Sequence, residues 1–86
     1  MPSYPITLSV PSSLRKRRLP ASILREYATR IENYLNSHSQ NEPVCVFDYY
    51  QLATELGIDK KIIKAFLAPI GGGSNGITIN NPKFKK

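Results

Sequence analysis

Cysteine, histidine and tryptophan are nearly missing from this chain of 86 residues, which has one cysteine, one histidine and no tryptophan. A single cysteine, Cys45, excludes a disulfide within the chain, and together with His38 it leaves too few ligands for an ordinary zinc site. The sequence also offers no nucleophile paired with a base, and so short a chain has no room for an enclosed cleft. We therefore expect no metal, no cofactor and no enzymatic activity.

Long apolar runs are missing as well. No stretch approaches the roughly 20 apolar residues that a membrane span requires, and the N-terminus lacks the continuous apolar core of a signal peptide. Hydrophobic residues still make up 41% of the chain, which is too many for wholesale disorder. These features predict one small folded domain, cytoplasmic and without membrane contact.

Acidic residues are scarce: six stand against twelve lysines and arginines, which gives a net charge of +6. The cations are also unevenly distributed, because ten of the twelve fall into three clusters. These clusters are Arg15, Lys16, Arg17 and Arg18; Lys60, Lys61 and Lys64; and Lys83, Lys85 and Lys86. A surface that is merely solvated would mix its charges more evenly, so a polyanion is the partner that the charge pattern favours.

The first predicted segment, residues 1–19, combines an alternating pattern with a basic run. Tyr4, Ile6, Leu8 and Val10 share one parity, which is typical either of a half-buried edge strand or of a flexible arm. Four adjacent cations then repel one another, so we expect 15–18 to be an arm or linker. A solvated loop tip and a nuclear-localisation-like patch are the alternatives for this basic run.

The second predicted segment, residues 20–80, contains the regular structure. Apolar residues recur at three- and four-residue steps from Pro20 to Ser37, which predicts an amphipathic helix. A short strand is expected at 44–47, followed directly by a helix that Asp48 caps and from which Gln51 reaches back. The glycine-rich stretch 71–79 predicts a β-hairpin, and residues 81–86 a basic tail.

Between the strand and the hairpin, two helices are expected to meet at a tight turn. Leu52, Ala53 and Leu56 share one face of the first helix, Gly57 permits a left-handed turn, and Ile58 anchors that turn in the core. A second helix from Asp59 to about Ala68 then buries its own apolar residues. Over these twenty residues the sequence resembles the helix-turn-helix family, and the order of elements around them resembles winged-helix DNA-binding domains.

The resemblance implies an α+β, mainly α fold: a winged helix-turn-helix of three helices with a small antiparallel β-hairpin. It further implies that the second helix is a recognition helix in the major groove of double-stranded DNA. The outward positions expected to contact DNA are Asp59, Lys60, Lys61, Lys64 and Ala65.

The expected wing has no lysine or arginine at its tip, which departs from the family pattern. Backbone amides of Gly72, Gly73 and Asn75 are then the expected phosphate donors. The cations of 15–18, or Lys83 in the tail, would instead contact the minor groove.

These expectations describe a small transcriptional or architectural regulator, nucleoid-associated in bacteria or nuclear in a eukaryote. The alternative is a winged-helix module that binds protein without DNA readout, through Ile62 or the N-terminal strand. RNA binding has less support, because the aromatic residues occupy mostly core-facing positions. A single recognition helix meets few base pairs, so the N-terminal strand is also a candidate for homodimer formation by strand addition.

Overall fold

Four helices and two strands make up the fold of this chain, whose computed structural model describes residues 2–16 and 18–84. In chain order they are α1 (Ser12–Arg15), α2 (Ala21–Ser39), β1 (Val44–Asp48), α3 (Tyr49–Leu56), α4 (Lys60–Leu67) and β2 (Gly76–Asn80). A short 3-10 turn, Ala68–Ile70, follows α4. The α+β class is confirmed, and about half of the chain is helical.

The long helix α2 forms one wall of the core. Its buried residues are Leu24, Ala28, Ile31 and Leu35, spaced by three and four positions as the sequence pattern predicts. The helix begins after Pro20, whose carbonyl accepts from the amides of the first turn, and it continues two residues beyond the expected end at Ser37. Burying this stripe stabilises the helix, since isolated helices gain little from propensity alone.

The predicted hairpin is wrong. β2 pairs antiparallel with β1, in the register Phe47 with Ile77 and Cys45 with Ile79, so α3 and α4 lie between the two strands along the chain. The glycine-rich residues 71–75 are therefore not the tip of a hairpin, because the partner of β2 is β1, which lies before α3 in the chain. They form a loop that brings the chain back to the sheet, and we call it the return loop. Gly76 is required at the start of β2, since a side chain there would collide with the carbonyl of Phe47.

The N-terminal segment, residues 2–10, runs extended beside α2 and touches the sheet at one point. Ile6 and Leu8 are buried, while the alternate residues are exposed, which confirms the predicted parity. Pairing is limited to a parallel bridge between Ser3 and Asn80, in which the Tyr4 amide donates to the Asn80 carbonyl at 2.7 Å. The segment is thus neither a full edge strand nor a free arm.

Side chains of α2 replace the missing strand partner. Asn36 accepts from the Ile6 amide at 2.8 Å and donates to the Ile6 carbonyl at 3.0 Å, and Glu32 accepts from the Leu8 amide at 3.1 Å. These bonds satisfy backbone groups that would otherwise be partly buried without partners. Since Ile6 and Leu8 face the core of their own chain, a homodimer through this strand could use only its backbone edge.

The basic run after this segment differs from the expected linker. Residues 12–15 form one helical turn, α1, and Leu14 inside it is fully buried and brings α1 against α4. Burial of a leucine side chain contributes about 1.5–3 kcal/mol, which outweighs repulsion between solvated cations. Arg15, Lys16 and Arg18 remain exposed, and Arg17 lies outside the described residues.

The predicted C-terminal tail begins at a residue that packs into the core. Asn81, predicted to begin the tail, is buried and donates through its side-chain amide to the Ser39 carbonyl at 3.0 Å. Its backbone amide donates to Pro43, so the residue closes the end of α2 against the sheet. Lys85 and Lys86 of the predicted basic tail lie outside the described residues. Among residues 2–16 and 18–84, no helix combines the length and apolar character needed to cross a bilayer.

Candidate nucleic-acid interface

The α3–turn–α4 unit, residues 49–67, is built from local signals that the sequence displays. Asp48 caps α3 by accepting from the Tyr50 amide at 2.6 Å. The helix ends at Gly57, whose φ of 66° is left-handed and therefore suits glycine. The Gly57 and Ile58 amides both donate to the Ala53 carbonyl, and Ile58 is buried, as predicted. The reciprocal bond expected from Gln51 to Asp48 is not formed in the described part of the chain.

Helix α4 separates an anchored face from a cationic face. Ile63, Phe66 and Leu67 are buried with at most 1% exposure, so the helix is held rigidly in the core. Lys60, Lys61 and Lys64 are all exposed on the other side. Since residues three and four apart are neighbours on a helix, the three ammonium groups form one patch, which we call the lysine patch.

Acidic groups do little to neutralise the lysine patch. The nearest in sequence, Asp59, uses its carboxylate as the helix cap and accepts from the Lys61 amide at 2.8 Å. Within residues 2–16 and 18–84, none of the three lysines forms an ion pair. Lysine in this state is free to neutralise a phosphate, although it lacks the two-pronged geometry of arginine.

Two further predicted contact positions on α4 are less accessible. Ala65 is only partly exposed and packs against the core, so its contribution to a contact is limited to its outer edge. Ile62 is also half-buried and packs in the same way. The protein-binding alternative that relies on Ile62 therefore has little free surface at that residue.

The second cationic cluster begins on an element that packs against α4, since its first residue, Arg15, is the last residue of α1. Arg15, Lys16 and Arg18 are exposed, and α1 packs against α4 through the burial of Leu14. Two clusters more than forty positions apart in sequence therefore belong to neighbouring elements. The remaining predicted cation, Lys83, is exposed in the turn beyond β2, and its amide donates to Asn81.

Two of the three predicted phosphate donors in the glycine loop already have acceptors within the chain, while the Asn75 amide stays a prediction. The Gly72 amide donates to the Leu67 carbonyl at 2.9 Å, and the Gly73 amide donates to the Gly76 carbonyl at 2.8 Å. Both amides therefore donate within the chain and cannot donate to a phosphate in this conformation. The reason is compactness: a loop that packs back on its own helix must satisfy its own backbone groups.

Tyr49 holds this loop in place from α3. Its hydroxyl donates to the Gly73 carbonyl at 2.8 Å, and its backbone amide donates to the Asn75 carbonyl at 3.0 Å. The ring is buried, and that burial raises the pKa of the phenol above its ordinary value of 10.0. The return loop thus packs against the start of α3 and does not extend away from the domain as a wing.

Arg30 supports the α3–turn–α4 unit, whereas the sequence predicts for it only a surface pair with Glu26 on the outer face of α2. Its guanidinium donates to the carbonyl of Leu56, the last residue of α3 and one of the acceptors that a helix end leaves open. The bond ties α2 to the turn that precedes the lysine patch. In the sequence, Arg30 is indistinguishable from any polar residue on the outer face of an amphipathic helix.

Groups suited to metal binding or to nucleophilic chemistry do not gather at a site. In the part of the chain that the structure describes, no three histidine, cysteine, aspartate or glutamate side chains are placed to hold a metal ion. Cys45 is half-buried, and burial, followed by the charge of Glu42, raises the pKa of its thiol. A thiol in this state is a poor nucleophile near neutral pH.

Comparison with known proteins identifies no relative: no family model, no curated protein and no solved structure matches the chain. Function is therefore inferred from the arrangement of charge and structure at the lysine patch.

Proposed function

We propose that this protein binds double-stranded DNA as a small helix-turn-helix protein of the winged-helix type, with α4 as its recognition helix. The observation that carries the proposal is the lysine patch. Lys60, Lys61 and Lys64, which form no ion pair within the described residues, stand on one face of α4. The opposite face is fixed in the core, and the helix follows immediately after a left-handed turn. That arrangement suits a helix laid into the major groove by its N-terminal residues.

The chemistry of lysine makes most of the expected affinity electrostatic. Lys60, Lys61 and Lys64 would displace counterions from phosphates, while contacts to guanine edges would add modest sequence preference. Arg15, Lys16 and Arg18 extend the positive surface beside α4 and would contact the backbone or the minor groove. A regulatory or architectural role is the one we propose for binding of this kind.

Departure from the winged-helix pattern limits the contribution of the wing. The return loop 71–75 carries no cation, and its Gly72 and Gly73 amides already have acceptors. Discrimination between sequences must then come from α4 and from the N-terminal cations. We expect preference for duplex over single-stranded DNA, because the proposed reading element is a helix shaped for a groove.

The test replaces the three lysines of the lysine patch with alanine in one variant and with arginine in a matched variant. Alanine should leave the helical circular dichroism intact, weaken duplex binding, and reduce the log–log salt slope by up to about 3 units. Arginine keeps the charge and should retain binding. Anisotropy titrations at two salt concentrations measure both quantities.

The proposal fails if the folded alanine variant binds duplex DNA with unchanged affinity. It fails equally if the wild-type protein shows no duplex binding at low salt, where phosphate neutralisation is strongest. Equal loss in the alanine and arginine variants would mean that general disturbance of α4, not its charge, controls binding.

A second candidate function, docking of a protein partner, is favoured by a separate surface. Val44, Val46 and Tyr50 are exposed by 48%, 73% and 71%, and the two valines share the outer face of β1. An exposed β-branched pair on a short strand is a common feature of interaction surfaces. Val46→Asp should abolish such docking while leaving duplex binding unchanged, so the two functions separate in one variant.

A further inference from the structure

A groove separates the N-terminal segment and α1 from α2. It consists of two adjoining cavities of about 360 and 370 Å³, and Val10, Arg15 and Arg25 line both of them. Each volume lies within the range of small-molecule sites, which begins near 300 Å³. Because these residues come from three different elements, the groove exists only in the folded chain.

Two arginines border the groove without an anionic partner. Arg15 is the last residue of α1 and Arg25 lies in the second turn of α2; both are exposed, and within residues 2–16 and 18–84 neither forms an ion pair. The carboxylate of Glu32 lines only the second cavity, where one of its oxygens accepts from the Leu8 amide. Two guanidinium groups at one groove repel each other until an anion lies between them, and arginine matches carboxylate and phosphate oxygens in geometry.

One end of the groove is apolar. Leu19 and Leu24 line it together with Val10, and all three belong to the packed hydrophobic cluster or lie against it. A bare inorganic anion would leave the partly exposed Val10 and Leu19 in contact with water, whereas an alkyl chain would cover them. Duplex DNA is a poor occupant for the same reason, because its backbone presents phosphate and sugar and no apolar chain.

We propose that this groove binds a small organic anion, with a carboxylate or phosphate head between Arg15 and Arg25 and a short apolar chain along Val10 and Leu19. The ligand would connect the N-terminal segment, α1 and α2, and it would stabilise the folded state by binding only that state. The site is separate from the lysine patch, although it shares Arg15 with the cations proposed to contact DNA.

The experiment titrates the wild-type chain with octanoate and with octyl phosphate, below the concentrations at which they self-associate. Nitrogen–proton correlation spectra should show shifts grouped around Val10 and Arg25, and the melting temperature should rise. Octanol, which has the chain without the charge, and acetate, which has the charge without the chain, should each bind at least about tenfold more weakly. Comparison of the two anions shows which head group the site prefers.

Two charge-removing variants and one matched control locate the site. Arg15→Gln and Arg25→Gln should each weaken octanoate binding by about tenfold, the effect of losing one charge-assisted hydrogen bond. Lys61→Gln removes the same charge from α4 and should leave octanoate binding unchanged. All three side chains are exposed, so the variants should fold; the wild-type titration decides the question even if one does not.

Three results would overturn the proposal. If octanol bound as tightly as octanoate, the groove would be a purely apolar surface without an anion site. If Lys61→Gln weakened octanoate binding as much as Arg15→Gln, the effect would come from the net charge of the protein and not from the groove. Absence of grouped shifts with either anion would mean that the groove is empty in solution.

Discussion

The helix α4, which carries the lysine patch, and the single turn α1, which ends at the first cation of the 15–18 cluster, rest on very different supports. In α4, a capping carboxylate fixes the first turn, and three side chains with at most 1% exposure fix the inner face. In α1, a single turn has no side-chain cap, and Leu14 is its one buried residue. Charge alone therefore does not define a contact surface. Of these two elements, only α4 carries its cations on a helix that several buried side chains and a cap hold in place.

The anchoring determines what each element can recognise. Contacts that depend on the edge of a base require side chains held to within about half an ångström, which suits α4. Phosphate neutralisation tolerates much looser placement, which suits α1. Four substitutions test this contrast, from the largest expected effect on stability to the smallest.

The first removes the main anchor of α4. Phe66→Ala should lower the free energy of unfolding by about 3–5 kcal/mol, because it deletes a buried aromatic ring and leaves a cavity. Urea unfolding monitored by circular dichroism measures the change. The exposed neighbour Lys64→Ala serves as control and should shift stability by less than about 0.5 kcal/mol. A small loss in Phe66→Ala would show that α4 is not held by its inner face.

The second removes the anchor of α1. Leu14→Ala should cost about 2–3 kcal/mol, in the lower part of the range for buried leucines because a single helical turn can relax into the space. Hydrogen exchange should accelerate in residues 8–16 while the amides of α4 stay protected. Equal acceleration in α4 would show that the two elements open together and that their supports are not independent.

The third releases the N-terminal segment that precedes α1. Asn36→Ala removes both hydrogen bonds to the Ile6 backbone and should cost about 1–2 kcal/mol. Asn33→Ala, an exposed change on the same helix, is the control and should be nearly neutral. Thermal melts compare the two, and matching midpoints would mean that water replaces Asn36 without penalty.

The fourth separates capping from charge at the start of α4. Asp59→Ala should cost about 1 kcal/mol through loss of the cap, whereas Asp59→Asn should keep the cap and most of the stability. In the proposed DNA complex, Asp59→Asn should also tighten duplex binding, because it removes a negative charge beside the lysine patch. If Asp59→Asn lowered the free energy of unfolding as much as Asp59→Ala, the charge of the carboxylate, and not its hydrogen bond, would be what stabilises the helix.

Elements with local signals were predictable from the sequence. The spacing of apolar residues predicts α2, and the series Asp48, Ala53, Gly57 and Ile58 predicts the α3–turn–α4 unit with its left-handed turn. Each of these signals acts over four or five residues, where backbone geometry and side-chain spacing determine the outcome. The lysine patch is predictable for the same reason, because it depends only on the helical repeat.

Features that depend on distant partners were not predictable. β2 pairs with a strand about thirty positions earlier, and no local pattern distinguishes that pairing from a hairpin. Leu14 finds its burial against α4, so residues 12–15 form a helical turn that ends at the first cation of the basic run. The glycine amides likewise find acceptors that only the folded loop supplies.

The bridge between Ser3 and Asn80 has a consequence for how the chain reaches this structure during synthesis. Translation proceeds at about 5–20 residues per second, so the first partner of the bridge waits roughly 4–15 s for the second. Over that interval Ile6 and Leu8 can associate with the completed α2, but Leu14 must wait for α4 to emerge. Residues 2–16 are therefore completed only after α4 and β2 have emerged, and a chaperone that shields apolar segments on the ribosome would meet the chain at these residues.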